Sequence, residues 1–286
     1  MLFHNPVDIL SLGYLCIVYH SVIQSQYCCI LPILRIGQEL MKQEPKYRRP
    51  LNAHQIAILN TLYKFRFTTI ALLAENQQAK HQRVIASRLK ILVDQGYIGM
   101  NYDSSYKIAG RPATYYLLPE GVRYLRNQPY TQESALRSIY QDKRAESHRI
   151  AHRLHVFKTY IHIKQAYPDR FKFFSKTELM HKPYVPKTTP DAFLLDTQAN
   201  ASYFIDCLED IMSFWTLRKT IHRYITFAEM EIWQKHKPNQ PHPNMLFICE
   251  SAQLKKRVDN LVKRELDSSY VDLQMTVSIL DDLSIA

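Results

Sequence analysis

Glycine is scarce, at six residues in 286, while 46% of the residues are hydrophobic. That composition argues against a long disordered tail, and no internal repeat is visible. Cysteine is sparse too. The five present form no C-x-x-C pair and no regular framework, and Cys207 and Cys249 lie inside apolar runs where a reduced thiol behaves as a small hydrophobe. This usage fits a reducing, cytoplasmic compartment. Basic residues are missing from the start of the chain, where the first Lys or Arg is Arg35, so the positive flank of a signal peptide is lacking. Long apolar runs are missing as well. "ILSLGYLCIVY" spans only 11 residues, "HSVIQSQ" interrupts it, and "YCCILPIL" carries a proline. A spanning helix needs about 18 apolar residues, so no membrane association is expected. Two readings of the first forty residues stay open. Met41 is the natural start and the preceding stretch an upstream translation, or the stretch is an amphipathic arm or anchor.

What is present is an uneven positive charge. The formal net charge is +11, and residues 41–136 hold 14 Lys and Arg against 6 Asp and Glu, whereas residues 137–286 hold 22 against 18. A basic region of that size favours a polyanion, nucleic acid before membrane, because neutralising phosphates releases counterions. A chain of this length suits two domains, since single domains run roughly 100–200 residues. The boundaries expected are an N-terminal extension over 1–50, a first domain over 51–128, a linker over 129–146 and a second domain over 147–286.

In the first domain, "LNAHQIAILNTLYKF" offers Asn52 as a helix cap, with Ile56, Leu59, Leu62 and Tyr63 at helical spacing. "TTIALLAEN" reads as a short second helix capped by Thr68 or Thr69. "AKHQRVIASRLKILVDQGYI" reads as a third, with Ile85, Leu89 and Leu92 facing the core and Gly96 ending it. With Ile85 at zero, Arg83, Ser87 and Lys90 fall at about 160°, 200° and 140° around the axis, opposite the core, with Lys80 beside them. "YIGMNYDSS" and "PATYYLLP" alternate like strands, and "YKIAGR" joins them as a hairpin tip. Three helices and a two-stranded wing make the winged helix-turn-helix pattern. Its third helix enters the major groove, and its wing sets a cation against the phosphates or the minor groove. The stretch from "SRLKILVDQGYI" to "GRPATYYLLPEG" resembles bacterial winged-helix DNA-binding domains. Lys80, Arg83, Ser87, Lys90 and Arg111 are the residues expected to meet double-stranded DNA.

The second domain reads as a helix over 147–167, strands at "FKFFS", "DAFLLD" and "YFIDCL", a helix over 214–235, a strand "NMLFICE", a helix from Ala252 to Leu266 and a last strand "LQMTVSI". The class is α/β, α+β overall, with helices packed on a mixed sheet. On the helix over 147–167, His148, His152 and His155 share one face and His162 follows a heptad later, either as a partly buried histidine stripe or as a zinc site.

The element order resembles the restriction-endonuclease-like PD-(D/E)xK fold. The resemblance implies a first acid at Asp191, after Pro190, and a second at Asp206, together holding Mg²⁺, with a lysine activating water. The lysine's place is taken by Leu208. Glu209 is an alternative acid, and Lys219 on the following helix the nearest replacement lysine, so the catalytic set of an active enzyme would be Asp191, Asp206, Glu209 and Lys219. The expected scaffold is nuclease-like and degenerate, needing no cofactor.

The assembly of a winged helix, "RAESHRIAHRL", "PDAFLL", "YFIDCLED" and the aromatic-basic helix "FWTLRKTIHRYITF" resembles the replication-relaxation family over about residues 51–266. That resemblance implies a DNA-binding accessory protein of a plasmid or integrated mobile element, acting in replication, relaxation or transfer. The C-terminal half would pair with DNA ends, with itself as a homodimer, or with a relaxase or replication protein. The alternatives are an Mg²⁺-dependent endonuclease targeted by its winged helix and a transcriptional repressor.

Overall fold

The first helix, α1 (Ala53–Phe65), starts where Asn52 closes a capping box. The Asn52 side chain accepts from the Gln55 amide at 2.9 Å, and the Gln55 side chain accepts from the Asn52 amide at 3.0 Å. Thr69 caps α2 (Ile70–Asn76) by accepting from the Leu72 amide. Helix α3 (Gln82–Asp94) buries Ile85, Leu89 and Leu92 completely, the face its periodicity predicts. Gly96 follows at φ +74, a left-handed turn that suits glycine, and β1 (Ile98–Asn101) pairs antiparallel with β2 (Thr114–Leu117). The computed structural model describes residues 50–285. The expectations for Met41 and for the preceding apolar runs lie outside the described residues.

The connection between β1 and β2 differs from a simple hairpin tip. It carries a short helix, α4 (Ser104–Ile108), because Asp103 accepts from the amides of Ser105 and Tyr106 and so nucleates a turn. Gly110, at φ +62, then reverses the chain and presents Arg111 to solvent. After β2 come α5 (Pro119–Arg126) and α6 (Glu133–Ile139). The stretch 129–146, expected as a linker, thus contains a helix whose Ala135, Leu136 and Ile139 are buried in the same core as α1 and α3.

A 20-residue helix, α7 (Ser147–Ala166), leads into β3 (Phe171–Ser175), a one-turn α8 (Lys176–Leu179), β4 (Ala192–Asp196) and β5 (Ser202–Leu208). Then follow α9 (Phe214–Glu229), α10 (Ile232–His236), β6 (Asn244–Cys249), α11 (Ala252–Asp267) and β7 (Met275–Ile279). The sheet runs β3-β4-β5-β6-β7, with β3, β4 and β5 antiparallel in turn and β6 and β7 parallel to β5. The helix expected over 214–235 is broken. Glu231 adopts a left-handed conformation, φ 52, and the chain turns so that Trp233, 1% exposed, enters an aromatic cluster with Phe193, Phe204 and Tyr184.

Strand alternation along β5 sends Phe204 and Leu208 into the core shared with α9 and α11, and Ile205 and Cys207 into the core shared with α7. Phe65, at the end of α1, belongs to that second core and stacks on Phe157 at 4.6 Å. The part from α1 to α6 therefore shares a hydrophobic core with the sheet, and from Leu51 onward the chain forms one unit. Polar contacts of Lys64 reinforce the joint: it donates to the Phe173 carbonyl at 2.6 Å and pairs with Glu178 at 3.3 Å, while Arg66 pairs with Asp142 at 2.7 Å in the stretch ahead of α7. Among the described residues no helix is long and apolar enough to cross a membrane. Cys207 and Cys249 are buried free thiols, and burial raises both, Cys249 to about 12.

Candidate functional site

Asp191 sits just ahead of β4 and Asp206 near the end of β5, and pairing of those strands brings them together. The Asp191 amide donates to Asp206 Oδ1 at 3.2 Å. Both carboxylates are almost fully buried, so each needs compensation. For Asp191 it comes from His152 on α7, whose Nε2 lies 3.0 Å from Oδ2, from the Cys207 amide at 3.2 Å, and from Lys176 at 3.6 Å from Oδ1. For Asp206 it comes from the Arg223 guanidinium, which closes on Oδ2, and from the Tyr224 hydroxyl, which donates to the same oxygen at 2.7 Å. The other ring nitrogen of His152 lies 3.2 Å from Glu209 Oε1.

The protonation states follow from these contacts. An imidazole facing carboxylates with both nitrogens is favoured in its doubly protonated form, which can donate to each. Burial pulls its pKa down, but the hydrogen bond and charge of Asp191 and the charge of Glu209 outweigh it, and the net shift is upward. Burial pushes the Asp191 carboxyl up, yet His152, Lys176 and Arg153 hold it well below the usual range. Burial raises Asp206, opposed first by Arg223. Arg223 is in turn held more firmly in its charged form by Asp206.

The structure joins Asp191, Asp206 and Glu209 and leaves Lys219 elsewhere. Lys219 is exposed, its Nζ 5.0 Å above the Trp215 ring, and the cations at the acids are His152, Lys176 and Arg223. Leu208 is 2% exposed in the core beneath α9, where a lysine would bury a charge. The sequence links the aromatic-basic helix to the acids through Lys219, whereas the structure does so through Arg223 and Tyr224 of that helix, and the histidine stripe, which the sequence left unconnected to the acids, supplies His152. His152 and Arg223 come from elements on opposite faces of the sheet, and no local spacing reports such convergence.

A divalent cation does not fit this arrangement. Mg²⁺ requires carboxylate oxygens free to face it in near-octahedral geometry, whereas each oxygen of Asp191 and Asp206 already faces a protein donor or cation. Among the described residues no three His, Cys, Asp or Glu side chains converge as a metal site. Beside the acids, a cleft of about 620 Å³ opens at the ends of β5–β7. Its lining includes four acids, Glu209, Asp210, Glu250 and Asp281, against one lysine, Lys158, a lining that repels phosphate. His148 and His155 line it too, and burial lowers the His155 pKa.

A different surface lies on α3 and the β1–β2 connection. Lys80, Arg83, Ser87, Lys90 and Arg111 are all exposed. Ser87 donates to the Arg83 carbonyl at 3.0 Å, and Lys90 pairs with Asp94 at 2.8 Å, an exposed contact that solvent weakens. A cleft of about 480 Å³ separates the start of α2 and Gln82 from the β1–β2 connection, and Tyr102, Lys107 and Arg111 line the connection's side. Lys107 was not singled out in the sequence. It is exposed on α4, the turn that the alternating pattern does not reveal.

The sequence profile of the replication-relaxation family matches residues 59–242, more than half of the chain. This chain belongs to the replication-relaxation family. The match begins inside α1 and ends just before β6, so it takes in α2 to α6, the β1–β2 pair and every residue of the acid cluster. Membership points to a role in replication or relaxation of plasmids or mobile elements. No curated protein matches the chain.

Proposed function

We propose that this member of the family is a DNA-binding accessory protein of a plasmid or integrated mobile element, and that its acid cluster holds the fold together and does not cut DNA. The observation that carries the reading is that each oxygen of Asp191 and Asp206 faces a donor or a cation of the chain. A hydrolytic site must leave its carboxylates open to metal and water. Here cations of the chain stand around them, and the adjoining cleft presents acids where a phosphodiester would lie. The winged part offers the opposite electrostatics. Arg83 and Lys90 extend from the exposed face of α3, Lys80 precedes it, and Lys107 and Arg111 stand on the wing across a cleft from α2. That layout suits a recognition helix in the major groove with wing cations on phosphate.

The test pairs two assays on one preparation of the full chain. Duplex binding is followed by mobility shift at rising salt, and supercoiled plasmid is incubated with Mg²⁺ or Mn²⁺. Salt-steep duplex binding without nicking supports the proposal. Nicking that disappears in Asp191→Asn overturns it in favour of a targeted endonuclease.

A further inference from the structure

The aromatic-basic helix has a second face that neither the acid cluster nor the winged part uses. Three large apolar side chains stand in solvent where the chain leaves β5 and enters α9: Ile211 at 81% exposed, Phe214 at 53% and Trp215 at 67%. Exposed apolar groups grouped this closely mark a contact surface. Each ring carries a cation. Lys219 Nζ lies 5.0 Å from the Trp215 centroid, and Arg264 Cζ of α11 lies 5.3 Å from that of Phe214.

The two helices are tied beneath this surface by one buried carboxylate. Glu265, 3% exposed, receives Arg218 at 3.0 Å, Arg264 at 2.8 Å and His222 at 2.7 Å. Those contacts hold the basic side chains in place. Farther along α11, Lys256, Arg257, Asn260 and Lys263 are exposed. Helices α9 and α11 together carry eight Lys and Arg against four Asp and Glu, an excess equal to the whole net charge of residues 137–286. The acids Asp210 and Glu250, bonded to each other through the Asp210 amide, lie before the patch and border the acidic cleft.

We infer that the outer face of α9 and α11 binds single-stranded DNA, with bases stacking on Trp215 and Phe214 and phosphates meeting Lys219, Arg264 and the cations of α11. Single strands expose the π-faces of their bases, whereas a duplex hides them inside its own stack. Aromatic platforms interleaved with cations are the arrangement that reads unpaired strands without sequence preference. The surface is separate from the winged face, so one chain holds duplex by one surface and an opened strand by the other.

The two tryptophans make the test direct, because Trp215 is exposed and Trp233 buried. The full chain is titrated with a twenty-nucleotide oligo-dT, and tryptophan emission and the anisotropy of labelled oligonucleotide are followed. Quenching of the exposed emission is expected, absent in Trp215→Phe. Affinity should fall about tenfold in Trp215→Ala and again in Lys219→Ala, with the melting temperature unchanged. Arg83→Ala with Lys90→Ala should leave oligo-dT binding intact, which separates this inference from the fate of the winged-helix proposal. Unchanged Trp215 emission, or equal affinity of Trp215→Ala and the parent chain, overturns the inference. So does an emission shift with anionic lipid vesicles and none with oligo-dT, which would assign the patch to a membrane surface.

Discussion

The Arg223 guanidinium closes over the Asp206 carboxylate, the two approaching from α9 and β5 to neutralise a charge that the sheet has buried. Removing the cation leaves the carboxylate without a counter-charge. Arg223→Ala is therefore expected to destabilise the fold by about 3–5 kcal/mol, read by urea titration. The paired change Asp206→Leu with Arg223→Met should recover most of that loss, because neither side chain then leaves the other as an unpaired buried charge. A single variant as stable as the parent would show that water, not Arg223, compensates Asp206.

Plasmid relaxation gives the second prediction. The parent chain should leave supercoiled DNA intact at millimolar Mg²⁺, and Asp191→Asn should leave duplex affinity within about twofold, since Asp191 lies among buried contacts of the sheet and not on the exposed face of α3. Nicking by the parent chain, lost in Asp191→Asn, would reverse the assignment of the acids.

Restoring the lysine should not restore a nuclease. Leu208 is buried beside Leu217 and Ile221, so Leu208→Lys places an ammonium in an apolar core, and a cost of several kcal/mol is expected. The measurement is a melting curve beside a nicking assay. A stable variant that cuts plasmid would show that Leu208 alone separates this chain from an active enzyme.

The pH dependence of stability follows from His152. Its folded-state pKa is raised above the ordinary value of about 6.5. The group therefore contributes stability that is fully present below about pH 6.5 and is lost as pH rises through the folded-state pKa. Thermal unfolding across pH 6–9 should show that decline in the parent chain and a flatter profile in His152→Gln. Identical profiles would mean that the imidazole does not carry its charge between Asp191 and Glu209.

Duplex binding should depend steeply on salt, losing orders of magnitude in affinity between about 50 and 200 mM if several phosphates are contacted. Each of Lys80, Lys107 and Arg111 changed to Ala should lower the salt slope by about one. Arg83→Ala and Lys90→Ala should weaken binding, and a loss of sequence preference would identify base contact. A flat salt response removes the winged face as the binding surface.

The sequence by itself determined the regular elements with strong periodicity. Helix α3 buries the three residues its spacing selects, Asn52 caps α1, and β3, β4 and β5 fall on the apolar runs that name them. Those features rest on contacts within a few residues, so a local pattern reports them. The proximity of Asp191 and Asp206 was legible too, because adjacent antiparallel strands carry them. Only the tertiary structure decided which cations answer those acids. His152 and Arg223 arrive from helices on opposite faces of the sheet, and Lys176 from the turn after β3, while Lys219, one turn before Arg223, faces solvent and Trp215 instead. The same holds for the break at Glu231, where Trp233 found an aromatic core to enter. The turn at Asp103 is local, an exposed carboxylate accepting from amides two and three residues on, and the strand-like alternation around it hid it; a buried charge or a large ring instead takes its partner from whatever the fold brings within reach, and distance along the chain does not report that reach.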